Sequence, residues 1–182
     1  LKRIGPRTGQ TLTPEYKAIN PRHKIPAMTH GNLVLTESVA IMIYLTETFP
    51  TPEFFHVPQT VNARSKLLEW CFFLMSEIDA NALYTIRRHG VLKDIYGDSP
   101  VAVTAAGEYF KHQIDTMEKP LKKNAKKFLM GNQISVADIL FVTCLDSAIR
   151  YDLRLPDYLL AYHKRLTARS AYIKSKEENH DG

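Results

Sequence analysis

One segment, residues 20–45, constrains the fold of this 182-residue chain more than any other part of it. It reads NPRHKIPAMTHGNLVLTESVAIMIYL, in which a glycine-containing turn at 30–32 separates short apolar runs at 24–28 and 33–35. A turn of this composition between two apolar runs is typical of a β-hairpin. Apolar residues then recur with helical spacing. The segment therefore predicts two strands followed by a helix.

Pro26 and the Thr36-Glu37-Ser38 stretch can present backbone groups to a ligand. Pro26 fixes its own φ, lacks an N–H and pushes Ile25 into an extended conformation. Trans is the ordinary state of such a proline, and a cis bond would hold the N–H and C=O of Ile25 facing outward. Thr36 or Ser38 can cap the following helix, whose free N–H groups suit a carboxylate. Taken alone, the stretch indicates a capped helix rather than a ligand site.

The segment carries three short motifs: Asn20-Pro21, His23-Lys24-Ile25-Pro26 and Glu37-Ser38. In order and in spacing they resemble the glutathione-binding half of the glutathione S-transferase family. The resemblance implies a cis bond before Pro26 and pairing of the Ile25 backbone with the cysteinyl part of glutathione. It also implies that Glu37 and Ser38 hold the γ-glutamyl end.

The same resemblance implies that His23 and Lys24 lie near the glycine carboxylate of glutathione, where related classes place a basic residue. Val39 departs from the family pattern, because several classes carry an arginine directly after the Glu-Ser pair. Glutathione is then a co-substrate, a hydrophobic electrophile is the second substrate, and no other cofactor is implied.

The chain divides at a proline-rich stretch, 50–58, which reads as a linker. Residues 1–49 mix short strands with a helix, whereas residues 59–182 carry helical patterns to the end. The resemblance implies a partial α/β thioredoxin-like domain followed by an all-α helical domain. Its first strand and helix, roughly 25–30 residues, would precede Leu1. The family's sulfur-activating Ser, Tyr or Cys lies in that segment, so the motifs assign no catalytic residue.

Tyr84, Arg87 and Arg88 are the remaining candidates for catalysis. A hydrogen-bond donor or a positive charge beside the glutathione sulfur lowers the pKa of its thiol. In the family this region borders the pocket that binds the electrophile. The alternative is a basic helix end that the helix dipole favours.

We predict a first long helix over 59–89. A buried face follows from the i, i+4, i+7 spacing of Leu67, Cys71, Leu74 and Ile78. Large apolar residues widen this face nearly all round: Trp70, Phe72, Phe73 and Met75. The widened face is either core alone or core plus a subunit interface, and the dimeric habit of the family implies a homodimer.

A second predicted helix begins at Pro100, which suits a first helical position, and stops or bends at Pro120. A run of lysines follows: Lys122, Lys123, Lys126 and Lys127. It is either a solvated helix-end cluster or a nucleic-acid patch, and it lacks the interleaved aromatic residues of the latter.

Residues 134–139 encode another helix start. Ser135 is the cap, and Asp138 at the third helical position can reach back to the Ser135 N–H in a capping box. Ile134 and Ile139 occupy the two positions of a hydrophobic staple. The pattern resembles the start of the central buried helix in the family's helical domain, so its predicted role is structural.

Composition limits the other function classes. The net charge of +5 and the pI of about 9.1 suit an anionic small substrate or, more weakly, nucleic acid, and do not decide between them. No apolar run approaches the roughly 18 residues of a membrane span, and no export signal follows Leu1. Cys71 and Cys144 lie in apolar helical runs and predict buried thiols in a reducing cytoplasm. The histidines are scattered and no CxxC or HExxH motif occurs, so no metal site is predicted.

These patterns predict a cytoplasmic, dimeric glutathione S-transferase-like enzyme that conjugates the glutathione thiolate to an electrophile in a detoxification-type reaction. A non-catalytic glutathione-binding or protein-interaction module of the same fold is the first alternative. A basic protein associated with nucleic acid is the second, although neither nucleic acid nor membrane is the expected partner.

Overall fold

The computed structural model describes residues 2–5, 8–50, 58–118, 121 and 127–180. They form two compact units, one within Leu1–Thr51 and Ser170–Gly182 and the other within Pro52–Arg169. The first unit contains a two-stranded sheet with helices, and the second is helical, which is the α/β thioredoxin-like and all-α combination predicted from the sequence. Most of the predicted linker, 51–57, lies outside the described residues.

The first unit begins with a 3₁₀ turn, Gln10–Leu12, and helix α1, Pro14–Ile19. The Thr13 side chain caps α1 by accepting a hydrogen bond from the Tyr16 N–H at 3.3 Å. Pro14 follows at the first helical position, where its missing N–H has no cost.

The hairpin consists of β1, Ala27–His30, and β2, Leu33–Thr36, paired antiparallel. The first strand starts later than the predicted 24–28, because Pro26 has no N–H to donate to the ladder. The ladder therefore begins with the pair Ala27 and Thr36. Gly31 opens the turn at a φ of 57°, a left-handed conformation that glycine adopts without strain.

Helix α2, Ser38–Thr48, follows β2. The predicted cap by Thr36 or Ser38 is wrong: Glu37 occupies the cap position, and no side chain bonds the helix start. Thr36 is the last residue of the ladder, and Ser38 is already helical. The chain turns between them through Glu37, whose φ of 71° is uncommon for a residue with a side chain.

The second unit starts with a long helical run over 61–91, here called α3, close to the predicted 59–89. Its successive segments are α-helical Val61–Phe72, π-helical Phe73–Leu83, α-helical Tyr84–Ile86 and π-helical Arg87–Val91. The π segments depart from the regular α-helix that the spacing predicted. At the end of the first, the Tyr84 N–H donates to the Asp79 carbonyl, five residues back.

The predicted buried stripe of α3 is confirmed, with Leu67, Cys71, Leu74 and Ile78 all at most 5% exposed. Burial does not extend all round the helix. Trp70 and Phe73 are half-buried, and Phe72 is 70% exposed within this chain.

The remaining helices of this unit are α4, Lys93–Tyr96, α5, Pro100–Thr116, α6, Val136–Arg150, and α7, Asp157–Thr167. Pro100 is at the start of α5 as predicted. Helix α6 is the most buried of them, and its Phe141, Leu145 and Ala148 are fully enclosed. Pro120 and three of the predicted lysines, Lys122, Lys123 and Lys126, lie outside the described residues.

The predicted capping box at the start of α6 is present. The Asp138 carboxylate accepts hydrogen bonds from the N–H and the hydroxyl of Ser135, at 2.8 and 2.7 Å. It also accepts from the Leu129 N–H at 2.8 Å and from the Tyr162 hydroxyl. The box therefore joins the helix start to the preceding loop and to α7.

A last helix, α8, Ser170–His180, belongs by its contacts to the first unit. The sequence-based boundary assigned 59–182 to one helical domain, so the two divisions differ at this helix.

Candidate functional site

The loop between α1 and β1 is fixed from beneath by two buried side chains. Asn20 is 1% exposed; its Nδ2 donates to the Lys24 carbonyl at 2.7 Å, and its Oδ1 accepts from the Arg22 N–H at 3.1 Å. The Tyr16 hydroxyl donates to the same Lys24 carbonyl at 2.6 Å. A buried amide with its bonds satisfied stabilises one loop conformation, because any other leaves it unpaired.

This anchoring orients the peptide group that links Lys24 to Ile25. In a trans peptide the C=O and the following N–H point in opposite directions. Because Asn20 and Tyr16 hold the Lys24 carbonyl inward, the Ile25 N–H faces away from them. Among the described residues, neither the N–H nor the C=O of Ile25 has a backbone partner. The Ile25–Pro26 bond is cis, as the motif predicted.

The hairpin register brings the loop and the start of α2 to one end of the sheet. Ala27 pairs with Thr36, so Ile25 and Ser38 lie just beyond the same end of the ladder. The N–H of Ile41 already bonds to the Glu37 carbonyl. The three N–H groups before it, from Ser38 onward, precede the first intrahelical bond and point out of the helix end. The Ile25 N–H and the first N–H groups of α2 therefore lie at the same end of the hairpin.

The Arg22 side chain extends from the loop to the same end of the hairpin. Arg22 was not among the site residues predicted from the sequence. Its Nη2 donates to Thr36 Oγ1 and lies 3.3 Å from Glu37 Oε1. The Arg22 and Glu37 side chains are 59% and 75% exposed. The sequence indicates this residue only in that Arg22 is basic and directly precedes the His23-Lys24 motif. The contact itself joins positions fourteen and fifteen residues apart and depends on the folded loop.

The other predicted binding residues lie in the same loop. His23 is half-buried at a φ of 57°, and its N–H donates to the Asn20 carbonyl at 3.0 Å. Lys24 is exposed next to it. The structure thus brings all six predicted residues, His23, Lys24, Ile25, Pro26, Glu37 and Ser38, to one end of the hairpin.

Tyr84, Arg87 and Arg88 belong to the second unit, on α3. The Arg88 guanidinium lies over the Tyr96 ring, 4.7 Å from its centroid, and 6.0 Å from that of Tyr84. Burial raises the pKa of Asp79, and the nearby Arg87 charge opposes that rise. Arg88 thus has aromatic partners within its own unit, and the Arg87 charge acts on Asp79.

The two thiols are buried and unsuited to nucleophilic attack, as the sequence predicted. Burial raises the pKa of Cys71 to about 11. Burial, with the Asp79 charge as a smaller cause, also raises the pKa of Cys144. A neutral thiol is a poor nucleophile and a poor metal ligand.

The described part of the chain contains no group of three or more His, Cys, Asp or Glu residues arranged to hold a metal ion. None of its helices is both long and apolar enough to cross a membrane.

Both units of the chain match domains of known proteins. Models of the glutathione S-transferase N-terminal and C-terminal domains match residues 2–47 and 93–178. "Probable maleylacetoacetate isomerase 1" of Drosophila melanogaster is 31% identical over 151 residues, which cover 83% of this chain. The chain spans only 58% of that relative's length.

Two further matches cover more of the chain. Glutathione S-transferase T1 of Arabidopsis thaliana is 31% identical over 191 aligned positions, which cover 94% of this chain and 73% of that protein. The apo structure of human glutathione-S-transferase T1-1 matches with a TM-score of 0.78 at 26% identity, covering 93% of this chain and 73% of that one. With both domain models matched in chain order, this chain belongs to the glutathione S-transferase family.

Proposed function

We propose that the first unit binds glutathione at the end of the hairpin, and that the protein conjugates the thiolate of glutathione to a hydrophobic electrophile. The observation that carries the proposal is the outward backbone of Ile25. Asn20 and Tyr16 orient its N–H through the Lys24 carbonyl, and neither its N–H nor its C=O has a backbone partner among the described residues. An extended peptide can satisfy both groups as an added strand does.

The groups on either side of Ile25 are complementary in charge to the two ends of glutathione. Glu37 and the start of α2 suit an ammonium and a carboxylate, the two charges of the γ-glutamyl end. His23 and Lys24 suit the glycine carboxylate at the other end. The peptide would lie with its cysteinyl part on Ile25 and its two charged ends on either side.

The names of the relatives support a glutathione-dependent reaction of the transferase or isomerase type. In conjugation, the thiol loses its proton, the sulfur attacks an electrophilic carbon, and a leaving group departs. Binding supplies proximity and orientation. A nearby donor or positive charge would lower the pKa of the bound thiol. We assign no residue of this chain to that last role.

Two measurements on the 182-residue chain test the proposal. Calorimetry with glutathione should show saturable binding, and Ser38→Ala should weaken it. Thr46→Ala is the matched control, because its hydroxyl bonds the Ile43 carbonyl within the same helix. Absence of glutathione binding by the unaltered chain overturns the proposal.

The second measurement follows thiol consumption with a simple aromatic electrophile. Loss of one thiol per product supports conjugation. Conversion of an unsaturated substrate without thiol loss points instead to isomerisation.

A non-catalytic glutathione-binding module is the second candidate. It is favoured by the structural partners of Arg88, whose stacking on Tyr84 and Tyr96 accounts for its position without a catalytic role. Retention on immobilised glutathione without turnover of any electrophile would select this candidate.

The proposal also includes a homodimer in the cytoplasm. The exposed Phe72 on α3 supports the subunit interface. The free, buried Cys71 and Cys144 fit a reducing compartment.

A further inference from the structure

We infer that Arg22 determines specificity for the γ-glutamyl end by binding its α-carboxylate, while Glu37 binds the ammonium on the same carbon. This role rests on the proposed function. It adds a residue that neither the motif nor the family resemblance singled out.

The Arg22 guanidinium is held in place by a contact with β2. Its Nη2 donates a hydrogen bond to Thr36 Oγ1. This bond holds the Arg22 side chain at the end of β2, next to Glu37. Ile25 and Ser38 lie at the same end of the hairpin. The charge therefore lies beside the backbone groups that the proposed site offers.

The Arg22 guanidinium keeps N–H donors that its contacts with Thr36 and Glu37 do not use. A guanidinium has five N–H donors in a planar fork. Among the described residues, Thr36 and Glu37 are the only acceptors found for this one, and both are contacted by Nη2. Nε and Nη1 are left to donate, and the side chain is 59% exposed. A carboxylate can therefore bind without displacing the Thr36 bond.

Arg22 and Glu37 form a pair of opposite charges. Arg22 Nη2 and Glu37 Oε1 are 3.3 Å apart. The ammonium and carboxylate of an α-amino acid are also adjacent, on one carbon, so the two pairs can lie head to tail. Because an exposed ion pair contributes little by itself, opening it toward the ligand costs little.

Arg22 is better suited than Lys24 to bind the carboxylate of the γ-glutamyl end. The Lys24 ammonium is a point charge without fixed donor directions, whereas the planar Arg22 guanidinium presents N–H donors of fixed direction at Nε and Nη1 to a carboxylate oxygen. Val39 leaves the position after Ser38 uncharged. Arg22 supplies a cation beside Glu37 from the loop between α1 and β1.

Three ligands in calorimetry test this assignment: glutathione, glutaryl-Cys-Gly, which lacks the ammonium, and 4-aminobutyryl-Cys-Gly, which lacks the α-carboxylate. Arg22→Met keeps the apolar stem and removes the charge. It should weaken glutathione and glutaryl-Cys-Gly by about 10- to 100-fold, the range for one hydrogen bond to a charged group. It should change 4-aminobutyryl-Cys-Gly less than about twofold.

Glu37→Gln should show the reverse pattern, weakening glutathione and 4-aminobutyryl-Cys-Gly but not glutaryl-Cys-Gly. Arg22→Lys should restore part of the lost affinity. Lys17→Met, on exposed α1, removes one positive charge elsewhere in the unit and should leave all three affinities unchanged.

The outcomes separate the two proposals. If the unaltered chain does not bind glutathione, the proposed function fails and the role of Arg22 with it. If glutathione binds and Arg22→Met leaves its affinity unchanged, the inference alone is overturned. It is also overturned if Arg22→Met weakens all three ligands equally, because Arg22 then only shapes the loop.

Discussion

Replacing the buried carboxylate of Asp138 by an amide should destabilise the helical unit by about 3 kcal/mol, more than any single donor around it contributes. Asp138 is fully buried and accepts four hydrogen bonds. One oxygen receives the Leu129 N–H and the Tyr162 hydroxyl. The other receives the N–H and the hydroxyl of Ser135. Each oxygen thus faces one backbone donor and one hydroxyl.

Asp138→Asn keeps the size of the side chain but leaves one oxygen and one NH₂ group. Whichever way the amide turns, its NH₂ faces the backbone N–H of either Leu129 or Ser135. A hydroxyl can rotate and accept instead, but a backbone N–H cannot. One buried donor is therefore orphaned, at about 2 kcal/mol, and the remaining bonds lose their charge-assisted strength. Relief of carboxylate burial offsets part of that second loss, which leaves about 3 kcal/mol in total.

Urea denaturation measures the change, since Trp70 is the only tryptophan of the chain and lies on α3 in the same unit. Ser135→Ala removes one donor and should cost about 1 kcal/mol. Asp157→Asn is the matched control: its carboxylate is exposed in the first turn of α7, so the loss should be about 0.5 kcal/mol.

The reasoning is refuted if Asp138→Asn costs no more than Ser135→Ala, because the orphaned donor would then be absent. Glutathione affinity of the folded variants should stay unchanged, since the box belongs to the second unit. Lost affinity at an unchanged melting temperature would contradict the structural role of Ser135 and Asp138.

Three further predictions concern binding, pH and assembly. Ser38→Ala should weaken glutathione binding by about 1.5–3 kcal/mol in calorimetry, the contribution of one hydrogen bond to a charged group; unchanged affinity counts against the site. Since the folded pKa of Cys71 is raised to about 11 and that of Cys144 is also raised, the unfolded thiols ionise first. Between about pH 8.5 and 10, below the ionisation of unfolded tyrosines, the free energy of unfolding should therefore fall by up to about 1.4 kcal/mol per pH unit for each thiol, and Cys71→Ala should halve that slope in urea titrations. The chain should sediment as a dimer, and Phe72→Glu should shift it to monomer because it places a charge on the exposed apolar face of α3.

Features encoded by neighbouring residues were predicted from the sequence. The hairpin, the buried stripe of α3 and the Ser135–Asp138 box each depend on residue types a few positions apart. Their determinants are turn chemistry, helical spacing and capping, which are readable without the fold. The cis bond before Pro26 was implied by the family resemblance instead, because local sterics alone favour trans.

Features set by the folded chain were missed or misplaced. The cap expected from Thr36 or Ser38 is not formed, and the chain instead turns through Glu37. Pairing with Ala27 keeps Thr36 in the ladder at the end of β2. The guanidinium of Arg22 meets Glu37 only after the hairpin brings them together. The π segments of α3 likewise have no pattern in the sequence, since their spacing of apolar residues also fits an α-helix.

The proposed site depends on two kinds of residue, and they should respond differently to substitution. Ile25 would bind through its main chain, so its side chain can change while its backbone direction is kept. Asn20 and Tyr16 set that direction from beneath through the Lys24 carbonyl. Arg22 and Glu37 act through exposed charges and can change without unfolding the loop. Loss of Asn20 should therefore weaken all peptide ligands alike, whereas loss of a charge at 22 or 37 should weaken only the ligands that carry the opposite charge at the γ-glutamyl end.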